Sequence, residues 1–257
     1  MNGASLVISV VTICFNCKDE IRKTVESVLG QDYPHVDYVV IDGGSKDGTA
    51  DIVREYAPRI STLVSEPDKG IYNAMNKGIA LCKGDFVVFV NAGDGFASTD
   101  VLSDVAKRIL PLGVFPDLVY GTYREEGCET VIPNYSHTKC WYGMFASHQA
   151  MFYNLDFLRK HNITYDESYR IAADYKLTLQ AVREGKRFLR IPTCISQFDT
   201  NGVSCNNPKA GMAEACRARA EVLGFGRVRN TFVLALTKFS HALRRHFAPL
   251  YKKLRYK

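Results

Sequence analysis

The sequence predicts an α/β fold in which a mostly parallel sheet is flanked by helices. Three short apolar runs carry this prediction, because each has the length of a buried strand and is followed by an aspartate. The runs and their aspartates are 38–41 with Asp42, 60–64 with Asp68, and 86–90 with Asp94. Strands that alternate with helical segments are typical of a parallel sheet. The carboxyl ends of such strands share one edge, so a nucleotide and metal site is predicted there.

Each element in the first half of the chain has a local reason. A strand is predicted at 6–14 from its apolar run, and the helix that follows at 19–30 ends before Pro34, which cannot donate a backbone hydrogen bond. Helices at 46–56 and 70–82 fill the spaces between the three apolar runs.

The regular alternation stops near Gly121. A helix at 99–110 and a strand at 117–120 are its last predicted members. Beyond Gly121 the predicted elements are short, and we find no repeat, low-complexity segment or linker before residue 222. These elements are a β-like piece at 130–132, helices at 155–161 and 174–185, and strands at 187–191 and 195–198.

Composition and length favour one globular domain with an appendage. The chain has 257 residues, of which 46% are hydrophobic, and this is ample for a core. Its apolar stretches fall far short of the roughly 20 residues that cross a bilayer. No Lys or Arg precedes Lys18, so we expect no export signal, a cytoplasmic location and reduced cysteines. Cys14 and Cys17 have the spacing of a redox or zinc pair, but no second pair completes a site, which favours structural thiols.

The segment 222–257 differs in charge from the rest of the chain. It holds nine Lys and Arg and no Asp or Glu, whereas the whole chain has a net charge of +6. Its apolar residues recur at spacings of three and four, which is typical of an amphipathic helix that Pro249 would kink. The apolar positions are Phe232, Leu236, Phe239, Leu243, Phe247, Leu250 and Leu254, and Arg244, Arg245, Lys252 and Lys253 fall between them.

We therefore divide the chain into a main domain, 1–221, and a basic helical tail, 222–257. Two interpretations of the tail stay open. It either packs on its own domain with a solvated basic face, or lies on an anionic membrane surface, where each basic residue contributes on the order of 1 kcal/mol. Nucleic acid is not expected as a partner, because aromatic and basic residues are not interleaved elsewhere as in RNA- or DNA-binding modules.

The polar loop 42–49 is expected to meet a nucleotide. Its glycines allow the backbone to come close to a ligand. The Asp42 carboxylate can accept hydrogen bonds from a uracil imide or from ribose hydroxyls, as an acidic residue does in dinucleotide-binding folds. Asp47 or Ser45 would cap the next helix, so capping alone could explain one of them. Capping does not explain Asp42 at the end of its strand.

The motifs of the chain form an ordered set. They are SVVTICFN at 9–16, TVESV at 24–28, IDGGSKDGT at 41–49, SEPDKGIYNAMNKG at 65–78, GD at 84–85, NAGD at 91–94, HQA at 148–150 and AADY at 172–175. In order and spacing, over residues 6 to about 205, the set resembles family 2 glycosyltransferases with the GT-A fold. The resemblance is to bacterial members that build capsule, exopolysaccharide or O-antigen. Each motif alone is weakly specific, whereas the ordered set is strongly so.

The resemblance implies a nucleotide-sugar donor, with a UDP-sugar favoured. It implies that Asp42 holds the base and that Asp68 faces the nucleotide. The implied donor-binding residues are Thr12, Phe15, Asn16, Asp42, Gly43, Ser45, Asp68, Lys69, Gly70, Asn73, Asn91, Ala92 and Gly93.

The segment 91–94 stands where the family has an acidic pair or Asp-x-Asp that reaches a divalent metal. Here Asn91 and Gly93 replace acidic positions, which leaves Asp94 as the one carboxylate. A hard cation such as Mg²⁺ or Mn²⁺ can be held by one carboxylate with diphosphate oxygens and waters. The resemblance therefore implies a divalent metal at Asp94.

Asp174 is the implied catalytic base. A positioned carboxylate can take the proton of an acceptor hydroxyl during attack, and the resemblance implies inversion at the anomeric carbon. The alternative for Asp174 is the N-cap of its helix. His148 and Gln149 are implied in binding the acceptor or the diphosphate, with a hydrogen-bonded structural histidine as the alternative. The implied acceptor is a glycan or a polyprenyl-diphosphate-linked glycan, met on the cytoplasmic membrane face.

Two other classes of function stay open. A nucleotidyltransferase also places a nucleotide and metal carboxylates at strand ends, but the arginine-rich and glycine-rich loop expected after its first strand is missing. A non-catalytic protein that binds a nucleotide sugar or a lipid carrier is favoured only by the altered segment 91–94.

Overall fold

Helices cover both faces of a mixed sheet. The structure is a computed structural model, and it describes residues 5–125, 128–198 and 207–246. The strands in these ranges are β1 (Ile8–Cys14), β2 (Val36–Asp42), β3 (Thr62–Ser65), β4 (Phe86–Phe89), β5 (Gly95–Phe96), β6 (Leu118–Glu125), β7 (Val131–Ile132), β8 (Met151–Asn154) and β9 (Phe188–Phe198). The helices are α1 (Lys18–Leu29), α2 (Thr49–Glu55), α3 (Ile71–Leu81), α4 (Val101–Ile109), α5 (Leu155–Lys160), α6 (Ala173–Glu184), α7 (Pro208–Leu223) and α8 (Arg227–His246). The strand order is β3-β2-β1-β4-β8-β6-β9-β5, with β7 beside β6.

The first half of the sheet is parallel, as predicted. β1 pairs with β2 and β4, and β2 pairs with β3, all in parallel. Every residue of β1 is buried, because helices lie on both sides of it, and such strands have nearly continuous apolar sequences. The carboxyl ends of these four strands therefore lie along one edge.

β8 reverses direction in the second half of the sheet. It lies between β4 and β6 and is antiparallel to both. The start of β8 therefore lies at the same edge as the end of β4. The longest ladder in this half, between β6 and β9, is parallel. The predicted α/β fold is confirmed, but the predicted elements did not include β5, β8 or α7.

β9 is unbroken where two strands were predicted. The predicted gap contains Pro192, which cannot donate to a ladder. The pairing with β6 shifts register near Thr122, and the Thr122 hydroxyl donates to the Thr193 carbonyl oxygen at 3.0 Å. The irregular pairing accommodates the proline without ending the strand.

Two hydrophobic clusters lie on opposite faces of the sheet. Successive residues of a strand point to opposite faces, and Val10 and Val11 accordingly belong to different clusters. α1 and α4 cover one face, where Val25 is fully buried, and α3 and α6 cover the other, where Leu177 is buried. Full burial of one such side chain contributes roughly 1.5–3 kcal/mol. The clusters fix the strand ends, where the polar residues of the site lie.

The last two helices are held to the main domain. α7 packs against α6, and α8 packs on α7. The Asn230 amide of α8 donates to the Cys216 carbonyl oxygen at 3.2 Å, and Val233 is 1% exposed. The other side of α8 carries Val228, Phe232 and Phe239, which are 84%, 60% and 66% exposed.

The predicted tail begins inside α7, because residue 222 lies in its last turn. α8 covers the first part of the predicted amphipathic helix. The side chains of Leu243, Arg244 and Arg245 are not described, and Phe247, Pro249, Leu250, Lys252, Lys253 and Leu254 lie outside the described residues. The division into two domains stays a prediction. Among the described helices, none has the length and apolar character that a membrane span requires.

Candidate functional site

The predicted site residues come from separate parts of the chain that the sheet brings to one edge. Asp42 ends β2, and the segment 91–94 follows β4, the strand on the other side of β1. Because β8 is antiparallel to β4, the 3₁₀ turn His148–Ala150 that precedes β8 lies at this edge too. α6 begins beside that turn, since the Asp174 carboxylate is 3.8 Å from the His148 ring.

The Asp42 carboxylate is enclosed by protein groups. Asp42 is 0% exposed. It accepts hydrogen bonds from the Ser45 hydroxyl at 2.5 Å and from the Ser65 hydroxyl at 2.6 Å. It therefore forms the buried floor of the loop 42–49, and its oxygens accept hydrogen bonds from protein groups.

Ser45 connects this floor to the loop after β1. While its hydroxyl donates to Asp42, the same oxygen accepts from the Asn16 backbone N–H at 2.8 Å. The Asn16 side-chain oxygen accepts in turn from the Lys46 N–H at 3.0 Å. Asn16 has a φ of 48°, in the left-handed region that Asn tolerates better than most residues. The two loops are thus fixed to each other by Asn16 and Ser45.

Asp47, and not Ser45, accepts a backbone hydrogen bond at the start of α2. Its carboxylate accepts from the Thr49 N–H at 3.0 Å and from the Lys18 N–H at 3.1 Å. Hydrogen bonding from the Thr49 hydroxyl is the main cause that lowers the pKa of Asp47 to about 2. The N-cap position itself is Gly48, whose φ is 101°.

Phe15, Gly43 and Asp68 converge at the surface of this loop. Phe15 is 61% exposed. A Cβ at position 43 would lie 3.3 Å from the Phe15 ring and would displace the Asp68 carboxylate, so glycine leaves room for both side chains. The other Asp68 oxygen accepts from the Gly70 N–H at 2.8 Å. An exposed ring beside a carboxylate can stack on a base and bind its ribose.

The structure corrects the expected position of Thr12. Thr12 is 0% exposed, and its hydroxyl accepts from the Tyr38 hydroxyl at 3.1 Å. It lies within β1 rather than at its end, so its side chain belongs to the core and does not line a surface pocket.

Asn73 connects α3 to a distant loop. Its side-chain oxygen accepts from the Lys69 N–H at 3.2 Å, and its amide donates to the Glu167 carboxylate at 3.1 Å. Asn76 donates to the same carboxylate at 3.1 Å. Glu167 was not among the predicted site residues, because nothing local to it indicates a partner in α3.

The segment 91–94 is a turn clasped by Thr24 of α1. The Thr24 hydroxyl accepts from the Gly93 N–H at 3.0 Å and donates to the Asp94 carbonyl oxygen at 2.8 Å. Gly93 has a φ of 91°, and a Cβ there would lie 3.0 Å from a Glu20 carboxylate oxygen. Both facts explain why this position carries glycine instead of an acid.

The 3₁₀ turn at His148 reaches across to this segment. The Asn91 amide lies 3.2 Å from His148 Nε2, and the Gln149 amide donates to the Asp94 carboxylate. The side-chain oxygens of Asn91 and Gln149 are buried and have no hydrogen-bond partner. A ligand between the two segments would satisfy them.

These oxygens bear on the expected metal. The described residues contain no cluster of three or more His, Cys, Asp or Glu side chains that could hold a metal ion. Asp94 nevertheless lies beside Gln149, and carboxylate and amide oxygens are ligands that hard divalent cations accept. The donor set therefore fits a cation that keeps waters or diphosphate oxygens in its remaining positions.

Asp174 is the second residue of α6 and not its N-cap. The N-cap is Ala172, which makes no side-chain capping bond, so the capping alternative is wrong. One Asp174 oxygen accepts from the Tyr175 N–H at 2.7 Å, and the other lies 3.8 Å from His148 Nδ1. The Asp174 and His148 side chains are each 24% exposed, so a substrate can reach them.

The surroundings shift the pKa values of both Asp174 and His148. Burial raises the pKa of Asp174, and the neighbouring His148 opposes this increase. Burial lowers the pKa of His148, and Asp174 opposes that decrease. The result favours a neutral imidazole beside a carboxylate whose basicity is increased. A general base is most effective when its pKa approaches the working pH.

Known glycosyltransferases are similar to this chain in sequence. A sequence model described as Glycosyl transferase family 2 matches residues 9–174. The uncharacterized glycosyltransferase Rv1514c of Mycobacterium tuberculosis is 35% identical over 202 residues, which are 76% of each chain. WfaP of Escherichia coli is 28% identical over 150 residues, or 49% of this chain and 60% of its own. Its name is UDP-Glc:alpha-D-GlcNAc-diphosphoundecaprenol beta-1,3-glucosyltransferase.

Among solved structures, the mannosyltransferase PcManGT from Pyrobaculum calidifontis has a similar fold. Its structure, in complex with GDP-Man and Mn²⁺, matches 98% of this chain and 84% of its own with a TM-score of 0.70. The sequence identity is 17%, so this likeness shows the fold alone.

Proposed function

The chain belongs to glycosyl transferase family 2, with the GT-A fold, and on that basis we propose that it is an inverting enzyme of bacterial surface polysaccharide synthesis. It transfers a sugar from a nucleotide-diphosphate sugar to a hydroxyl of a glycan or lipid-linked glycan. The observation that carries the proposal is the convergence of Asp174, His148 and the turn 91–94 at the strand ends that also bear the Asp42 loop.

The donor occupies the surface of the Asp42 loop. Its base stacks on the exposed Phe15 ring over Gly43, and Asp68 accepts hydrogen bonds from the base or ribose. Asp42 does not contact the donor in this proposal, and it contributes by accepting the hydrogen bond that holds Ser45 in place. Lys69, Gly70 and Asn73 shape the neighbouring wall, where the Lys69 backbone is held by Asn73. The name of WfaP specifies UDP-Glc as its donor, which favours a UDP-sugar here.

Asp94 would hold a divalent cation, Mn²⁺ or Mg²⁺, with the amide oxygens of Asn91 and Gln149 as further ligands. Such an ion, when bound, neutralises the charge of the departing diphosphate. Ala92 and Gly93 provide the turn that presents Asp94. The Gln149 amide holds the Asp94 carboxylate in position, and His148 holds Asn91.

Asp174 acts on the acceptor. Its carboxylate takes the proton of the acceptor hydroxyl while that oxygen forms a bond to the anomeric carbon. The bond between this carbon and the diphosphate oxygen breaks in the same step, and the electron pair leaves with the nucleoside diphosphate. One displacement from the opposite face inverts the anomeric configuration. His148 lies beside Asp174 and donates a hydrogen bond either to the acceptor or to the Asp174 carboxylate, which orients the acceptor.

The exposed side of α8 brings the enzyme to its acceptor. Val228, Phe232 and Phe239 form an apolar surface on a helix flanked by basic residues, and no acidic residue follows Glu221. Such a helix can insert its apolar side at an anionic membrane surface. We propose that the enzyme is cytoplasmic and binds peripherally to the cytoplasmic membrane face, where a polyprenyl-diphosphate-linked acceptor is presented.

A panel of nucleotide sugars, each with Mn²⁺, tests the proposal by thermal shift. A donor at 100 times its dissociation constant stabilises the fold by about 2.7 kcal/mol, whereas non-substrates have no effect. The stabilising donor is then incubated alone. Slow release of nucleoside diphosphate is expected. Release of pyrophosphate or nucleoside monophosphate would indicate a nucleotidyltransferase. Donor binding without turnover, even when acceptor glycans are added, would indicate a non-catalytic protein.

A further inference from the structure

Glu214 of α7 holds the backbone immediately before Asp174. One carboxylate oxygen accepts from the Arg170 N–H, and the other accepts from the Ile171 and Ala172 N–H groups, each at 2.9 Å. We propose that Glu214 is a positioning residue for Asp174, which it aligns by holding the backbone of 170–172. The inference rests on the proposed role of Asp174 as the base.

The backbone just before α6 needs a hydrogen-bond acceptor from elsewhere in the fold. The N–H groups of 170–172 precede the first turn of α6, so they have no partner within the helix, and a side chain at its N-cap would accept from N–H groups further along. A carboxylate is well suited to this place, since it makes charge-assisted hydrogen bonds and favours the positive end of a helix. The three N–H groups oppose the effect of partial burial and lower the pKa of Glu214, which stays ionised.

The contact is close enough to control the reacting group. Ala173 is fully buried and follows the held backbone directly, so a shift of residues 170–172 moves Asp174 with it. The 3.8 Å approach of Asp174 to His148 depends on that position. A displacement of about 1 Å at a reacting group can lower a rate by about 100-fold.

A second carboxylate in α7 provides a matched control. Glu221 accepts from the Lys176 ammonium at 2.5 Å, from the Arg217 guanidinium at 2.7 Å and from the Tyr169 hydroxyl at 2.9 Å. It therefore also connects α7 to the region around the start of α6, but all three bonds come from side chains and not from the backbone of 170–172. If carboxylates of α7 merely stabilise the domain, Glu214→Gln and Glu221→Gln will have the same kinetic effect.

The experiment compares Glu214→Gln and Glu221→Gln with the unaltered enzyme. We expect Glu214→Gln to lower kcat by about 10-fold to 100-fold while KM for the donor changes less than about 2-fold. Amide hydrogen exchange at 170–172 should become faster in this variant alone. Glu221→Gln should have the same kcat as the unaltered enzyme, even if its melting temperature falls as much as that of Glu214→Gln. Equal kcat values in the two variants, or an unaltered kcat in Glu214→Gln, would overturn the inference.

A double variant shows whether Glu214 acts through Asp174. In an Asp174→Asn background, Glu214→Gln should lower the residual rate no further, because residues that act as a unit are not additive. If Glu214→Gln lowers the rate in this background as much as it does in the unaltered enzyme, Glu214 has a role that does not depend on Asp174. The proposed function fails separately, when the unaltered enzyme has no turnover or Asp174→Asn has normal turnover. If Glu214→Gln does not fold, Glu214→Asp, whose shorter side chain reaches fewer N–H groups, replaces it in every comparison.

Discussion

At the scale of single residues, two polar side chains near the candidate site are enclosed in the fold. Asp42 and Thr12, both expected to contact the nucleotide, are 0% exposed. Asp42 ends β2 and Thr12 lies inside β1, and a polar side chain at either position can face the core or the loop beyond the strand. Which direction applies depends on partners such as Ser65 and Tyr38, whose pairing with these residues has no local signal.

Replacement of Asp42 should weaken nucleotide binding indirectly. Asp42→Ala removes the acceptor of the Ser45 and Ser65 hydroxyls, so the loop loses its floor. We expect the affinity for UDP to fall by about 10-fold or more, together with a stability loss of about 1–3 kcal/mol for the buried groups left unsatisfied. Calorimetry with UDP and Mn²⁺ measures the affinity. Ser65→Ala, which leaves the Ser45 bond intact, is the control. Unchanged affinity in a folded Asp42→Ala protein would remove Asp42 from the site.

The pH profile should report the environment of Asp174. The base must be ionised, so kcat/KM is full above its pKa and falls as the pH drops through that pKa. Because burial raises the pKa of Asp174 above its ordinary value of 3.8, with His148 opposing, the decline should begin at a higher pH than for an exposed aspartate. Circular dichroism over the same range excludes unfolding. A constant kcat/KM down to pH 3.8 in folded enzyme would contradict the assignment.

At the scale of elements, the early strands were predictable and the second half was less so. Strands β1 to β4 each fall on or within an apolar run, and helical segments alternate with these runs, which is a local pattern. β8 has four residues, and its antiparallel direction follows from the shape of the whole sheet. That direction brings His148 to Asn91. The motif at 148–150 was recognised, but its partners were not, because they lie far away in the sequence.

The turn 91–94 gives a prediction of its own. Gly93→Ala should destabilise the protein by about 1–2 kcal/mol, because its φ lies in the left-handed region. Gly93→Asp should lose more, since its carboxylate would lie beside Glu20. Urea unfolding measures both. Adding Glu20→Gln should restore more stability to Gly93→Asp than to Gly93→Ala. If Gly93→Asp has normal stability and binds Mn²⁺ more tightly, the turn tolerates an acidic pair and the explanation is wrong.

At the scale of the whole molecule, the basic charge and the exposed apolar residues coincide in α8. The sequence predicts this helix and leaves two interpretations open, in which it packs on its own domain or lies on an anionic membrane surface. The structure shows both a side packed through Asn230 and Val233 and a side with exposed Phe232 and Phe239. Packing on the domain therefore leaves part of the apolar surface of α8 exposed.

Substitution on the exposed side tests the membrane proposal better than truncation. Removing all residues after Gly226 also removes Asn230 and its contacts, so stability would fall. Phe232→Ser with Phe239→Ser should reduce sedimentation with anionic liposomes and slow transfer to a lipid-linked acceptor, yet spare donor hydrolysis and melting temperature. Added salt should weaken the binding of the unaltered protein, because exposed charges are screened within about 8 Å at physiological ionic strength. Unchanged sedimentation of the double variant would contradict the proposal, as would a protein that ignores anionic liposomes.

The most direct test of the whole account is the transfer rate of Asp174→Asn at saturating donor and acceptor. Asparagine keeps the size of the side chain and can still accept from the Tyr175 N–H, but it cannot take a proton. We predict that turnover falls by about 100-fold or more while donor affinity, measured by calorimetry on the same preparation, is unchanged. Wild-type turnover in Asp174→Asn would contradict the central claim, because the reaction would then proceed without this base.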